Sequence, residues 1–113
     1  LSRCMYHPNI VRCYSSFRKD DCFYIVMEYA GHRTLNDLVL PLQLPQLIHV
    51  LAQLALALKH LQANRIVHRD LKPTNVIISE KGLLKIADFG ISRALGESGV
   101  ARTVVGTPFY TAP

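Results

Sequence analysis

Three oxygen-bearing side chains in two short motifs could together support the transfer of a phosphoryl group. The first motif is HRDLKPTN at residues 68–75, and the second is DFG at residues 88–90. Asp70 is a candidate base for a hydroxyl group, while Asn75 and Asp88 offer the hard oxygen ligands that Mg²⁺ prefers. Phosphoryl transfer depends mainly on positioning and on neutralisation of charge, so these residue types suit that chemistry.

The joint occurrence of the two motifs is far more specific than either aspartate taken alone. In isolation, Asp70 would be interpreted as a surface turn residue and Asp88 as a helix cap. The longer motif fixes several residue types, each with a background frequency of about one in twenty, so chance rarely produces it. The order, spacing and residue types resemble the catalytic loop and the magnesium loop of eukaryotic protein kinases of the serine/threonine type.

The resemblance implies an α+β, protein-kinase-like fold and a specific reaction. ATP and Mg²⁺ are the implied cofactors, and the implied partner is a protein substrate with a serine or threonine hydroxyl. Asp70 is then expected to be the base and Asn75 and Asp88 the metal ligands. Lys72 is expected to contact the transferring phosphate and to mark serine/threonine specificity, although a solvated surface lysine is the alternative interpretation.

Several further residues receive structural roles from the same resemblance. His68 is expected to pack with Phe89 and to hold the loop through a hydrogen bond, rather than to act as an acid or base. Gly90 completes the magnesium loop. The string GTPFYTAP at residues 106–113 resembles the end of a kinase activation loop, in which Thr107 would help to fix the catalytic loop.

Thr103 lies where activating phosphorylation is common in this family. A phosphate at that position would find Arg69 and Arg93 as cationic partners. The alternative is an unmodified loop threonine. The strings HPNIV at residues 7–11 and TVVGTP at residues 103–108 resemble the NIMA-related group of kinases most closely.

The resemblance also places an adenine site at the second predicted strand. Met27 would guard the back pocket, Glu28 and Ala30 would offer backbone hydrogen bonds, and Ile77 would form an apolar floor. Simple core packing is the alternative for Met27 and Ile77, and both interpretations can hold together. The string GHR at residues 31–33 departs from the paired glycines common there, which leaves the ribose contacts open.

The elements that must position these residues can be predicted from apolar patterns. Residues 10–17 and 22–29 are rich in β-formers and flank a charged turn, which predicts a hairpin. Leucines at three- and four-residue steps predict a helix over residues 45–63, expected to be mostly buried. Short strands are predicted at residues 76–78 and 83–87, before an exposed loop.

Smaller signals complete the outline. Thr34 is expected to cap a short helix that begins at Leu35. By resemblance, residues 1–29 are strands of the N-lobe, residues 30–33 are the hinge, and residues 34–113 belong to the C-lobe through the activation segment.

Composition excludes several other classes of protein. Half of the residues are hydrophobic, which argues against a disordered chain, and no apolar run is expected to cross a membrane. The net charge of +5 comes from scattered basic residues, so nucleic-acid binding is not expected. Three cysteines without paired spacing predict reduced thiols and an intracellular, cytoplasmic or nuclear protein. The oligomeric state is left open.

Two competing functions stay open on the sequence alone. A pseudokinase would keep the fold without turnover, although the presence of Asp70, Asn75 and Asp88 disfavours it. A small-molecule phosphotransferase would share part of the catalytic loop, but Lys72 and the GTPFYTAP string argue against it. The glycine-rich loop and the ATP-binding lysine of kinases are expected upstream of Leu1, so these residues alone are expected to be inactive and marginally folded.

Overall fold

The computed structural model describes residues 6–38, 41–88 and 110, and their strands form two separate sheets. The first sheet is a hairpin of two strands, and the second contains three antiparallel strands in the order β3-β4-β5. The elements are β1 (Cys13–Lys19), β2 (Cys22–Met27), β3 (Arg33–Thr34), a 3₁₀ turn (Leu35–Asp37), α1 (Leu44–Ala63), a 3₁₀ turn (Pro73–Asn75), β4 (Val76–Ile78) and β5 (Leu84–Ile86).

The predicted hairpin is confirmed, and its turn contains two residues. Asp20 and Asp21 have φ angles of 48° and 58°. Two-residue hairpin turns need this left-handed backbone, which aspartate tolerates better than most residues. Across the turn, Cys13 pairs with Met27 and not with Cys22, and an irregularity between Cys13 and Ser15 shifts the register.

The first strand begins later than predicted because the preceding residues pair elsewhere. Ile10 forms a parallel bridge with Ile86 of β5. The Ile86 N–H donates to the Asn9 carbonyl at 2.9 Å, and the Val11 N–H donates to the Ile86 carbonyl at 2.9 Å. The backbone of this segment is therefore committed to β5, and the hairpin ladder can begin only at Cys13.

Helix α1 matches its predicted bounds to within one residue. Pro45 lies in the first turn, where its missing donor is harmless, and the Gln43 N–H donates to Gln46 Oε1 at 2.9 Å. At the other end, Asn64 Nδ2 donates to the His60 carbonyl at 2.8 Å, which confirms that Asn64 ends the helix. Such contacts satisfy the backbone groups that a helix end leaves open.

The expectation that α1 is mostly buried is wrong for the described part of the chain. Only Gln53, Ala57 and Leu61 are buried. Its large exposed apolar residues are Leu44, Leu47, Ile48, Leu51, Leu56 and Leu58. By length and composition alone, α1 could also cross a membrane, which contradicts the expectation that no such run exists. One such helix is weak evidence by itself, so the finding assigns no membrane role.

Two small apolar clusters join these elements. The first contains Ile10, Ala57, Leu61 and Ile86, so it fixes α1 against β5 and the segment before β1. The second contains Val11, Ala30 and Ala87, with Ile77 packed against it. These clusters hold the ends of β4 and β5, which carry the candidate site, against the chain that follows β2.

A close backbone approach explains the glycine between β2 and β3. Gly31 has a φ of 139°, and a Cβ atom there would lie 2.7 Å from the Ile78 carbonyl oxygen. Only glycine tolerates both conditions. The approach lets β3 pair with β4 at Arg33 and Thr34. The predicted turn at Leu35 is confirmed as a 3₁₀ turn, and Asp37 Oδ2 accepts from the Thr34 N–H at 2.7 Å.

Candidate active site

Asn75 makes the contacts that hold the loop of residues 68–75 together. It ends the 3₁₀ turn before β4, and only 6% of its surface is exposed. Its Nδ2 donates to the Asp70 carbonyl at 2.9 Å and to Asp70 Oδ2 at 3.1 Å. Both contacts use the nitrogen, and Oδ1 accepts no hydrogen bond from any described residue. The amide therefore fixes Asp70 on one side and keeps lone pairs for a cation on the other.

The Asp70 carboxylate is also paired with a lysine two residues away. Lys72 Nζ lies 2.8 Å from Asp70 Oδ2, and about a quarter of each side chain is exposed. The two side chains therefore extend to the same side of the loop. Partial burial reduces solvent screening, so this pair is stronger than a fully exposed one. One carboxylate orientation is thus held by an amide and an ammonium group.

His68 anchors the loop to the strand that precedes the second motif. It is buried, its Nε2 lies 2.7 Å from the Ala87 carbonyl, and its Nδ1 accepts from the Asp70 N–H at 3.2 Å. Because Nδ1 accepts, Nε2 must carry the proton that reaches Ala87. The geometry agrees with a structural histidine held by a hydrogen bond.

Asp88 lies immediately beyond this anchor. The N–H of buried Ala87 donates to the Asn75 carbonyl at 2.8 Å, so the two motifs meet through their backbones. Asp88 itself is exposed and has a φ of 62°, and Arg69 in the other motif has a φ of 69°. Left-handed backbone is uncommon for residues other than glycine, although aspartate tolerates it better than arginine does, and it often occurs at functional sites.

The whole chain matches one family of known proteins. The family model of the protein kinase domain matches residues 1–113. The chain belongs to the protein kinase family. This membership confirms the kinase-like fold expected from the two motifs, with two hairpin strands from the end of the N-lobe and the beginning of the helical C-lobe.

Curated relatives of this kinase domain are serine/threonine kinases from distant organisms. The chain is 39% identical over 112 residues to serine/threonine-protein kinase PrkC of Bacillus subtilis, covering 95% of the chain and 17% of the relative. It is 41% identical over 113 residues to Nek8 of Danio rerio, covering 95% and 16%. It is 38% identical over 116 residues to Nek5 of Homo sapiens, covering 96% and 16%.

These matches confirm the resemblance to serine/threonine kinases, and Nek kinases are among the relatives, as the NIMA-related strings suggested. The chain spans less than a fifth of the length of the relatives named above.

The expected adenine residues of this kinase domain lie at the end of β2, directly after it, and within β4. Ala30 is buried against Val11 and Ala87, and Ile77 packs on the same cluster. Ala30 and Ile77 therefore lie close to the backbone that leads into Asp88. Met27 is 45% exposed, so within the described residues it is not a core side chain.

The Glu28 side chain makes contacts that the sequence did not suggest. Its Oε1 accepts from Lys85 Nζ at 2.9 Å and from the Arg12 N–H at 2.7 Å. Partial burial alone would raise the pKa of Glu28, but the hydrogen bonds and charges of Lys85 and Arg12 outweigh it and lower the pKa below its usual value. The sequence offered one signal for this contact, because Lys85 is a charged residue between two apolar neighbours, both of which are buried in β5.

A buried polar network between the HPNIV string and α1 was also missed. Asn9 Nδ2 donates to Gln53 Oε1 at 2.7 Å and to the Leu84 carbonyl at 2.9 Å. The Leu84 N–H donates to the same Gln53 oxygen at 2.9 Å. A glutamine on the apolar stripe of a helix was the available signal, because a buried amide needs polar partners.

Some predicted residues fall outside the described residues, namely Phe89, Gly90, Arg93, Thr103 and Thr107. Among the residues that the structure does describe, no group of three His, Cys, Asp or Glu side chains could hold a metal ion. The candidate magnesium ligands, Asn75 and Asp88, are one amide and one carboxylate, so they do not form such a group of three. Mg²⁺ commonly binds few protein ligands and keeps several waters, so this small set is chemically suitable.

Proposed function

We propose that the full-length protein is a serine/threonine kinase that transfers the γ-phosphoryl group of ATP to a hydroxyl group of a protein substrate. The observation that carries the proposal is the polar network around Asn75. Its amide orients the Asp70 carboxylate at 3.1 Å, and its backbone binds Ala87 immediately before Asp88. Buried Asn75, itself a proposed metal ligand, therefore connects the proposed base Asp70 to the strand end that carries the second proposed ligand, Asp88.

In the proposed reaction, the substrate hydroxyl oxygen forms a bond to the γ-phosphorus while the bond from that phosphorus to the β,γ-bridging oxygen breaks. ADP leaves with the electron pair, and the hydroxyl proton passes to the Asp70 carboxylate. Asn75 Nδ2 and Lys72 Nζ hold that carboxylate in one orientation. Lys72 would also neutralise charge on the transferring phosphoryl group, and its distance of 2.8 Å from Asp70 supports this role.

Asn75 Oδ1 and the Asp88 carboxylate would hold Mg²⁺. When bound, the cation neutralises charge on the triphosphate. The residues fit such an ion because Oδ1 accepts no hydrogen bond from the described residues and the Asp88 carboxylate is exposed. Asn75 keeps its second function, the orientation of Asp70, through its nitrogen.

The nucleotide base is assigned to the segment after β2. Met27 would border the back of the pocket, the backbone of Glu28 and Ala30 would bind the adenine edge, and Ile77 would lie beneath the ring. The shared packing of Ala30 and Ile77 beside Ala87 supports this arrangement. Apolar surface with a few polar backbone groups is typical of such pockets.

Regulation is assigned to the activation segment. Phosphorylation of Thr103 would bring its phosphate to Arg69 and Arg93, and Thr107 would contact the catalytic loop. Exposed Arg69, directly before Asp70, supports the proposal, because ordering an arginine there would also order the base. The protein is assigned to the cytoplasm or nucleus, without a nucleic-acid or membrane partner. The 113 residues alone are expected to be inactive, because the ATP-binding lysine typical of kinases does not occur among them.

The test is transfer of labelled phosphate from ATP by the full-length protein. Label is expected on serine or threonine of a protein acceptor, and a parallel preparation of Asp70→Asn excludes a contaminating kinase. Binding of ATP without any transfer would identify a pseudokinase. Transfer to sugars or amines in place of protein would identify a small-molecule phosphotransferase.

A further inference from the structure

The carboxylate of Glu28 joins three segments that are distant in sequence. Its Oε1 lies 2.9 Å from Lys85 Nζ of β5 and 2.7 Å from the N–H of Arg12, which precedes β1. The Glu28 N–H donates in turn to the Arg12 carbonyl at 2.9 Å. Side chain and backbone of Glu28 are thus both fixed, directly after β2 and at the start of the proposed adenine-binding segment.

This ion pair differs in solvent exposure from the other pair near the hairpin. The Lys85 and Glu28 side chains are 15% and 22% exposed, whereas those of Arg18 and Asp21 are 72% and 94% exposed at a similar distance of 2.7 Å. Exposed pairs contribute little because water and salt screen them. Partly buried pairs are screened less, and a partner removed from one of them leaves a poorly solvated charge.

Lys85 brings the pair into the strand that leads to the magnesium loop. Its neighbours Leu84 and Ile86 are buried, so the β5 backbone is fixed on both sides of it. Ala87 and Asp88 follow directly. The ion pair therefore connects Glu28, whose main chain belongs to the proposed adenine-binding segment, to the strand that delivers a proposed metal ligand.

We infer that Lys85 and Glu28 are positioning residues whose ion pair fixes the main chain of Glu28 and so sets the affinity for the adenine base. The inference rests on the proposed function for the identity of the ligand. The pair acts through the backbone and does not touch the transferring phosphoryl group. Its loss should weaken nucleotide binding while the chemical step stays nearly unchanged.

The experiment compares four variants of the full-length protein. Lys85→Met removes the cation, and Glu28→Gln removes the charge but keeps an oxygen for the Arg12 N–H. The double variant of both changes completes the cycle, and Lys85→Arg restores a cation. Asp21→Asn and Arg18→Met, made singly, are matched controls in the exposed pair. Adenosine, which has no phosphates, is the binding probe, and ATP titration gives KM and kcat.

Lys85→Met and Glu28→Gln are each expected to raise the Kd for adenosine and the KM for ATP about five- to tenfold. The kcat at saturating ATP should stay within about twofold of wild type. The double variant should be no worse than either single variant, because both remove the same interaction. Lys85→Arg should recover most of the affinity, and the hairpin controls should change nothing.

Unchanged adenosine affinity in both single variants would overturn the inference, as would additive losses in the double variant or a fall in kcat at constant KM. If the single variants fail to fold, the decision rests on Lys85→Arg, which keeps the ion pair, and on the double variant, which leaves no unpaired charge. The double variant should still bind adenosine more weakly than Lys85→Arg does, and equal affinity of the two would overturn the inference. Wild-type protein that binds adenosine but transfers no phosphate would refute the proposed function alone, since the adenosine measurement does not require transfer.

Discussion

The catalytic loop and the β1–β2 hairpin are both short, yet they are held in different ways. In the loop, His68 and Asn75 are buried and their polar atoms bind neighbours in the same region at 2.7 to 3.2 Å. In the hairpin, residues 15–19 pair regularly with residues 22–26, but Phe23 is 67% exposed and Phe17 is 47% exposed. The chain thus specifies the loop through side chains and the hairpin mainly through its backbone.

The comparison shows which residues determine the geometry of each region. The contacts among residues 68, 70 and 75 lie within the HRDLKPTN motif, and the Ala87 backbone, 19 residues from His68, completes the loop. Among the described residues, the aromatic side chains of the hairpin have few partners: Phe17 stacks on Tyr24 at 5.1 Å, and the Arg12 guanidinium lies 5.5 Å from the centre of the Tyr14 ring. Exposed apolar surface of this extent commonly marks a contact with further protein.

The largest expected effect separates the chemistry from the hairpin. Asp70→Ala and Asp88→Ala in the full-length protein should each lower kcat by about 10³-fold or more, because one removes the proposed base and the other a metal ligand. Asp21→Ala, which removes an exposed carboxylate from the hairpin turn, is the control and should keep activity. Steady-state transfer to a protein substrate is the measurement, and substantial activity in either loop variant would disprove its assigned role.

The second prediction concerns the anchor of the loop. His68→Ala should lower the free energy of unfolding by about 1–3 kcal/mol, because the buried Ala87 carbonyl and the Asp70 N–H each lose a partner. It should also reduce kcat, since Asp70 is no longer held. His49→Ala, at an exposed position of α1, is the matched control and should stay near wild type. Equal stability of the two variants in denaturant titrations would contradict the difference drawn between the regions.

Much of the fold was predictable because local patterns determine it. The hairpin, α1 and the strands β4 and β5 follow from β-forming runs, leucine spacing and turn residues, and the match to the kinase domain agrees with them. The pairing of Ile10 with Ile86 was missed, because residues before a strand carry no mark of their distant partner. Leucine spacing likewise shows which face of α1 is apolar, but not what covers it.

The site was predictable in the same uneven way. The motif predicted that Asp70, Lys72 and Asn75 belong to one site and that His68 makes a hydrogen bond, and the contacts within residues 68–75 span five residues or fewer. The Ala87 carbonyl that His68 Nε2 binds lies 19 residues away and was not predicted. The pair between Glu28 and Lys85 spans 57 residues, and the pair between Asn9 and Gln53 spans 44. Such contacts depend on how strands and helix pack, which single-residue types do not encode.

A smaller effect is expected within the hairpin. The ring centroids of Phe17 and Tyr24 lie 5.1 Å apart with nearly parallel planes. A double-mutant cycle of Phe17→Ala and Tyr24→Ala should give a coupling energy of about 0.5–1.5 kcal/mol, the usual contribution of one aromatic pair. A cycle of Tyr14→Ala with Tyr24→Ala serves as the reference. Coupling much larger than this would show that the hairpin, like the loop, is specified by its side chains.

The smallest expected effect is a pH dependence near the HPNIV string. Burial and the nearby charge of His60, whose ring centroid lies 5.0 Å away, lower the pKa of His7 below its ordinary 6.5. Its Nδ1 also accepts from the Asn9 N–H at 3.1 Å, a bond that requires neutral imidazole. The unfolded chain therefore binds the proton at higher pH than the folded chain does, so stability is complete above pH 6.5 and declines as the pH falls through the lowered pKa.

Unfolding free energies measured from pH 7.5 to 5 should show this decline in wild type and less of it in His7→Asn, with His49→Asn as the exposed control. An identical decline in all three proteins would mean that the contact of His7 with His60 and Asn9 makes no difference to folding, and that the HPNIV string is held by the buried Asn9 network alone.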